Sequence, residues 1–301
     1  MANANGWGDG ASNNNIGWGQ GANNAIGWGD IHADSWAGLT DISGAPTTDP
    51  DAQEFITAAA ITDPTQQAAI NNLVIGLKAD GLWTKMKAVY PFVGDTASQH
   101  KFNLKDPRDL DAAFRLVFSG GWTHSANGVL PNGTNAYADT FYLPSTEASQ
   151  NNHHVSAYSR TNNTDFYALI GAANNNTESA RSALFAKADA NTWQSLNSNG
   201  YLQWADANSQ GHYISNRTAS TVMTGWKNGI KKATQTSSSI TPATNNYYLA
   251  AVNRGAIYGG AGFYSNRQLA FASIGDGLTD TEAANFYTAV QTFQTALNRN
   301  V

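Results

Sequence analysis

From Phe102 to Asp276 the chain repeats one texture, and that texture leaves few architectures open. Short apolar runs such as "AAFRLVFSGGW", "HHVSAYSR", "FYALIGAA", "SALFAKAD", "GYLQWAD" and "QLAFASIGD" are divided by Asn, Gly and Ser clusters every roughly 8 to 15 residues. Runs this short, with separators this frequent, predict a mainly β protein built as a sandwich or jelly roll. Within it, "TVMTGWKNGIKKATQT" reads as a hairpin in which Asn228-Gly229 supplies the two positive-φ residues of a type I′ turn.

Two regions leave that period. In "TDPTQQAAINNLVIGLKADGLW", Thr62 or Asp63 is an N-cap, Pro64 takes the first helical position, and Gly81 is a left-handed stop. Ile70, Leu73, Val74 and Leu77 fall on one face of that helix. A shorter helix around "AQEFITAAAI" precedes it, and "LWTKMKAVYPFVGD" is apolar enough to be buried, so 51–98 reads as a small helical region before a sandwich over 99–278. Residues 279–301 open on a capping box, Thr279 with Glu282, and carry Phe286, Val290, Phe293 and Leu297 at helical spacing. They predict a C-terminal helix of about 18 residues, laid on the sandwich or on a neighbouring subunit.

Residues 1–50 differ again. "NGWGDGASNNNIGWGQGANNAIGWGDI" sets Trp7, Trp18 and Trp28 between glycines, with Ile16 and Ile26 before the second and third repeats. The repeats are too short for a solenoid unit, and their Gly and Asn suit a linker. Three indoles, each able to bury on the order of 200 Å², are costly to leave in water. The expectation is an irregular anchor that docks through Trp7, Ile16, Trp18, Ile26 and Trp28 on another chain.

Composition narrows function by exclusion. Charged residues are 13% of the chain and net charge is −5 at pH 7, which gives no footprint for nucleic acid. Cysteine is absent, which removes disulfides, thiolate metal sites and Cys nucleophiles. The start "MANANGWGDG" lacks the basic and apolar regions of a signal peptide, and no apolar run approaches the roughly 20 residues of a membrane span. Neither export by that route nor membrane insertion is expected.

The run "GHYISNRTASTVMTGWKNGIKKATQT" with "NNYYLAAVNRGAIYGGAGFYSNRQLAFASIGDGLTDTEAANFYTAVQTFQ" resembles the second half of a laminin-G-like or concanavalin-A-like lectin sandwich. The "IGWG" repeats, "GLWTKMKAVYPFVG", "NLKDPRDLDAAFRLVFSGGWTHS" and "FASIGDGLTDTEAANFYTAVQTF" together resemble virion structural proteins of tailed bacteriophages of the crAss-like or Bacteroidetes-phage type. That resemblance covers nearly the full chain. It implies a fibre-like or appendage component located in the virion, partnered by capsid, collar or tail proteins, and a homo-oligomer with a trimer favoured. A lectin-like sandwich further implies attachment to host-surface glycan. The alternative is a carbohydrate-active protein, a lectin or a capsule depolymerase.

Glycoside hydrolysis needs two spaced carboxylates. The four glutamates, Glu54, Glu147, Glu178 and Glu282, form no E-x-D-x-E run, and Asp106, Asp109 and Asp111 read as caps and partners of Arg108. A non-enzymatic role is therefore expected. His153-His154 point to opposite faces of a strand and cannot share one ion; they read as a polar strand start. His32, His100, His124 and His212 have no partner at ligand spacing. No cofactor is expected; the resemblance allows calcium at the sandwich rim, where Asp139, Asp165, Asp189 and Asp206 are loop candidates without D-x-D-x-D spacing. The segment "NTWQSLNSNGYLQWADANSQGHY" carries two readings. Trp193, Tyr201 and Trp204 with Asn197 and Asn199 make a sugar platform, or the same aromatics line the inner face of the sandwich.

Overall fold

The computed structural model describes residues 48–174 and 177–301, without the side chains of 177–180. The Gly-Trp-Gly repeats, with Trp7, Ile16, Trp18, Ile26, Trp28 and His32, lie outside the described residues.

The described chain opens with helix α1 (Pro50–Ala58) and helix α2 (Pro64–Ala79). Asp63 caps α2 by accepting the Gln66 amide at 2.8 Å, Pro64 takes the first turn, and Gly81 leaves it at φ +69°. Helix α3 (Asp280–Ala296) closes the chain on the expected capping box: Thr279 N–H donates to Glu282 at 2.7 Å and Glu282 N–H to Thr279 Oγ1 at 3.3 Å.

Between the helical ends lie two sheets. The front sheet holds β1 (Met86–Tyr90), β3 (Trp122–Ser125), β4 (Gly128–Pro131), β6 (His153–Ser159), β11 (Gly211–Ala219), β12 (Val222–Lys227), β13 (Ile230–Gln235) and β17 (Leu269–Gly275). The back sheet holds β2 (Val117–Ser119), β5 (Tyr137–Asp139), β7 (Ile170–Asn174), β8 (Thr177–Phe185), β9 (Asn191–Ser198), β10 (Leu202–Ala205) and β14 (Tyr248–Leu249), with the small strands β15 (Val252–Asn253) and β16 (Ala261–Gly262). Front order is β13-β12-β11-β6-β17-β4-β3, with β1 beside β17; back order is β10-β9-β8-β7-β14-β5-β2. Pairing is antiparallel except for β15, which runs parallel to β7. The chain is a mainly β sandwich with a C-terminal helix, as its texture predicts.

Strand β1 corrects one sequence reading. It falls inside the stretch read as helical, but Met86 and Val89 face the helices while Ala88 and Tyr90 face the sheet interior. A run that is apolar on both faces suits a doubly covered strand. A bulge between Met86 and Ala88 shifts the alternation. The β12–β13 hairpin turns on Asn228 (φ +49°) and Gly229 (φ +72°), as expected.

Three apolar layers result. The first joins α1, α2 and α3 to the outer face of the front sheet, burying Phe286, Val290 and Phe293 against Tyr158, Ile214, Trp226 and Phe271. The second fills the space between the sheets, with Val155, Ala157, Tyr213, Met223 and Ile274 facing Ile170, Leu184, Leu196 and Leu249. The third, around Phe185 and Val252, lies on the outer face of the back sheet, away from the helices. After α3, Arg299 secures the chain end by donating to the carbonyls of Pro91, Phe92 and Ala270 and to Gln294 Oε1 at 2.7–3.1 Å.

The His153-His154 pair starts β6 but is not an exposed polar end: His153 is buried between the sheets and His154 beneath α3. They point to opposite faces as expected. His153 stacks between Tyr142 and Tyr247, whereas His154 meets Phe286 of α3 edge-on. Each ring donates from Nδ1 to a carbonyl, of Gly275 and Asp276 respectively, and accepts at Nε2 from Tyr247 or Ser273. Burial is affordable for a neutral imidazole once both nitrogens are paired.

Candidate functional site

Strand alternation on the back sheet sorts the aromatic residues of 191–204 onto different faces. Leu202 and Trp204 point inward; Trp204 is 9% exposed and packs on Gly225 of the front sheet. Trp193, paired with Phe185 on one side and Gln203 on the other, points outward. Tyr201, in the β9–β10 turn, folds over beside it with ring centroids 5.3 Å apart.

Residues distant in sequence complete the outward cluster. Phe166 stacks on Phe185 at 4.8 Å and meets Trp193 and Phe263 edge-on, each at 5.8 Å. Phe263 also meets Phe185 at 5.7 Å. Phe185 is fully buried beneath, while Trp193, Tyr201 and Phe263 are half-buried and Phe166 is 37% exposed. The guanidinium of Arg181 lies 5.6 Å from both the Tyr201 and Phe263 rings, and that of Arg254 lies 5.8 Å from Phe263.

The loop carrying Phe166 is held from below. Arg267 is fully buried; it pairs with Asp165 and donates to the carbonyls of Asn163 and Lys187 at 3.2 and 3.4 Å. Burial pushes the Asp165 carboxyl above its ordinary pKa despite Arg267. At the other side of the patch Asp189 accepts from Trp193 Nε1 at 3.1 Å and from the Asn191 amide at 2.7 Å, contacts that hold its carboxyl below the usual range. The indole orientation is thereby set by a side-chain hydrogen bond as well as by packing.

Of the five residues the sequence marked as a sugar platform, the structure brings two together, Trp193 and Tyr201. Trp204 belongs to the inter-sheet core, in line with the inner-face reading. Asn197 is buried at φ +49°, where Ser182 Oγ donates to its Oδ1 and its Nδ2 donates to the Gln150 carbonyl; it shapes the end of β9 and cannot reach a ligand. Asn199 is exposed in the turn that follows. Phe166, Phe185 and Phe263 escaped sequence reading because they come from three separate segments. Their only local signal was aromatic density beside turns.

The rim aspartates have protein partners. Asp139 accepts from the Phe141 amide and Asn246, and Asp206 accepts from Lys227, Thr192 and Tyr213. Burial raises the Asp206 carboxyl, but these partners together hold it below its usual pKa. No group of three or more metal-ligating side chains occurs among the described residues. Asp106 pairs with Arg108, while Asp109 and Asp111 pair with Arg115. His100 and His124 depart from expectation, with Nδ1 atoms 2.9 Å apart, because the turn Ala97–His100 and β3 meet at the sandwich end.

No protein-family model matches this chain, and no curated protein does. Solved structures do. A mutant of Trypanosoma rangeli sialidase displaying trans-sialidase activity aligns over 74% of this chain and 39% of its own, at 9% identity and TM-score 0.52. Domain 4 of an extracellular arabinanase from Geobacillus stearothermophilus, in complex with arabinotriose, aligns over 67% of this chain and 98% of its own, at 14% identity and TM-score 0.43. A botulinum neurotoxin type C chain, from work on cell entry through two ganglioside molecules, aligns over 71% and 53%, at 9% identity and TM-score 0.48. Of these three the sialidase overlays well enough to establish a shared sandwich fold, and this chain spans well under half of that protein.

Proposed function

We propose that the sandwich is a glycan-binding module whose sugar site is the Trp193 end of the back sheet's outer face. One observation carries the reading: helices bury the outer face of the front sheet, while on the back sheet Trp193, Tyr201, Phe166 and Phe263 keep ring surface in water. Aromatic faces stack on the apolar C–H face of a sugar, and flanking polar groups receive its hydroxyls. Asp189, Arg181 and Arg254 flank these rings. The sandwich shared with a sialidase is compatible with such a role but supports the fold alone. The role we propose is binding without catalysis, since Asp165 and Asp189, the carboxylates beside the patch among the described residues, hold Arg267 and Trp193.

The finer reading is that of a phage virion component, fibre-like or appendage-like and trimeric, anchored to capsid, collar or tail through its N-terminal repeats. It is supported by the sequence resemblance and by the three tryptophans of those repeats. Deletion of residues 1–31 is expected to leave the sandwich folded and to prevent incorporation into particles; normal incorporation would refute the anchor.

For the sugar site, the test is a glycan array probed with the wild-type protein and Trp193→Ala. Binding abolished by the substitution while the sandwich stays folded, read from an unchanged far-UV spectrum at a lowered thermal midpoint, is expected. Binding that survives it would place the site elsewhere.

A further inference from the structure

The outer face of the back sheet carries a second aromatic group at its far end. Ala138 and Leu249 point into the inter-sheet core, so alternation turns Tyr137 and Asp139 of β5 and Tyr248 of β14 outward. The two tyrosine rings stack at 4.5 Å with 17° between their planes, and both are half-buried. Asp139, directly opposite Tyr248, accepts from Asn246 Nδ2 at 3.1 Å. Asn246 is itself held by Asn253, whose Nδ2 donates to its carbonyl at 3.1 Å.

Carboxylates stand at both ends: Asp189 accepts from Trp193 Nε1, and Asp139, with the Asn246 amide, stands beside Tyr137 and Tyr248. Carboxylate oxygens accept from adjacent hydroxyls and repel another carboxylate. From β9 to β5 there are four strand spacings, about 19 Å at about 4.8 Å each. A single sugar ring cannot touch both ends, whereas a chain of rings passing over the β15–β16 segment, whose Val252 packs on Gly171 between them, can.

We propose that Tyr137, Tyr248, Asp139 and Asn246 form a second sugar subsite, specific for a neutral pyranose, and that the ligand is an extended oligosaccharide spanning the back sheet. The inference rests on the reading that the Trp193 end binds glycan. It adds a ligand length to that reading: a chain of rings, with a neutral ring at the Tyr248 end.

The test uses the full chain on a printed array of neutral and acidic oligosaccharides from two to eight rings. Wild-type affinity is expected to rise with length. Trp193→Ala loses binding at every length, whereas Tyr248→Ala leaves short ligands unchanged and weakens the long ones about tenfold. Tyr248→Phe, which keeps the ring, binds as wild type. If Tyr248→Ala fails to fold, Asp139→Asn serves in its place and is expected to relax the exclusion of acidic sugars from that end. Length dependence unchanged in Tyr248→Ala, or acidic sugars still excluded in Asp139→Asn, overturns the second subsite while leaving the glycan reading intact. A wild-type protein that binds no oligosaccharide overturns both.

Discussion

Beneath α3 the front sheet buries a histidine in a cage of aromatic rings. His212 of β11 is enclosed by Tyr158, Phe271, Phe286 and Tyr287, and neither ring nitrogen has a protein hydrogen-bond partner among the described residues. Burial, with the neighbouring His154 as a lesser cause, lowers its pKa from 6.5 to about 3. His212→Phe keeps an aromatic ring in an aromatic cage and removes the polar atoms. An unpaired buried polar group costs about 1–3 kcal/mol, so the variant gains about that much at pH 7.5, less what the larger ring costs to seat. The gain must also grow as the pH falls. With the folded pKa depressed, the unfolded chain binds the extra proton, so the wild-type contribution is intact above about 6.5 and is lost progressively towards about 3. At pH 5 that adds about 2 kcal/mol to the advantage of the variant. Urea midpoints at pH 7.5 and pH 5, at equal m-values, measure both quantities. His153→Phe is the contrast, because it loses hydrogen bonds to the Gly275 carbonyl and Tyr247 and is expected to destabilise at pH 7.5. An advantage of His212→Phe that stays constant between the two pH values, or a loss at pH 7.5, would refute the reasoning.

Gly76 sits inside α2 with open space where a Cβ would go, so Gly76→Ala should raise stability by about 1 kcal/mol in a urea melt. Trp204→Ala empties the inter-sheet core against Gly225 and should cost about 3–5 kcal/mol, read as a lowered thermal midpoint. Arg299→Ala strips the Pro91 and Phe92 carbonyls of their side-chain donor, leaves Ala270 only that of Gln294, and should cost on the order of 3 kcal/mol, with hydrogen exchange rising first along α3 and the 91–92 turn.

Sequence carried the local structure well where one residue decides it. Asp63, Pro64 and Gly81 bound α2, Asn228-Gly229 turn the hairpin, and Thr279 with Glu282 starts α3, all from interactions within four residues. Strand β1 was not legible because its pairing partner, β17, lies more than 180 residues away and a doubly buried run has no diagnostic period. Of the segment the sequence marked, the structure keeps Trp193 and Tyr201 together and separates Trp204 and Asn197 from them. Trp193 and Trp204 look alike in "NTWQSLNSNGYLQW", and only the register of β9 against β10, Trp193 with Gln203, turns one outward and the other in. Phe166 depends on a buried pair, Arg267 with Asp165, from segments about a hundred residues apart. Buried His153 and His154 were read as a polar strand start because alternation says which face a residue takes, not what covers that face.

The central claim is that sugar meets the outer face of the back sheet at Trp193. Its most direct measurement is an indole N–H spectrum of isotopically labelled tryptophan, titrated with the oligosaccharide that binds best on the array. The account predicts that the Trp193 signal, assigned by Trp193→Phe, shifts in proportion to occupancy while those of Trp204 and Trp226 stay in place. A shift confined to any other indole, with Trp193 unmoved at saturation, would contradict it.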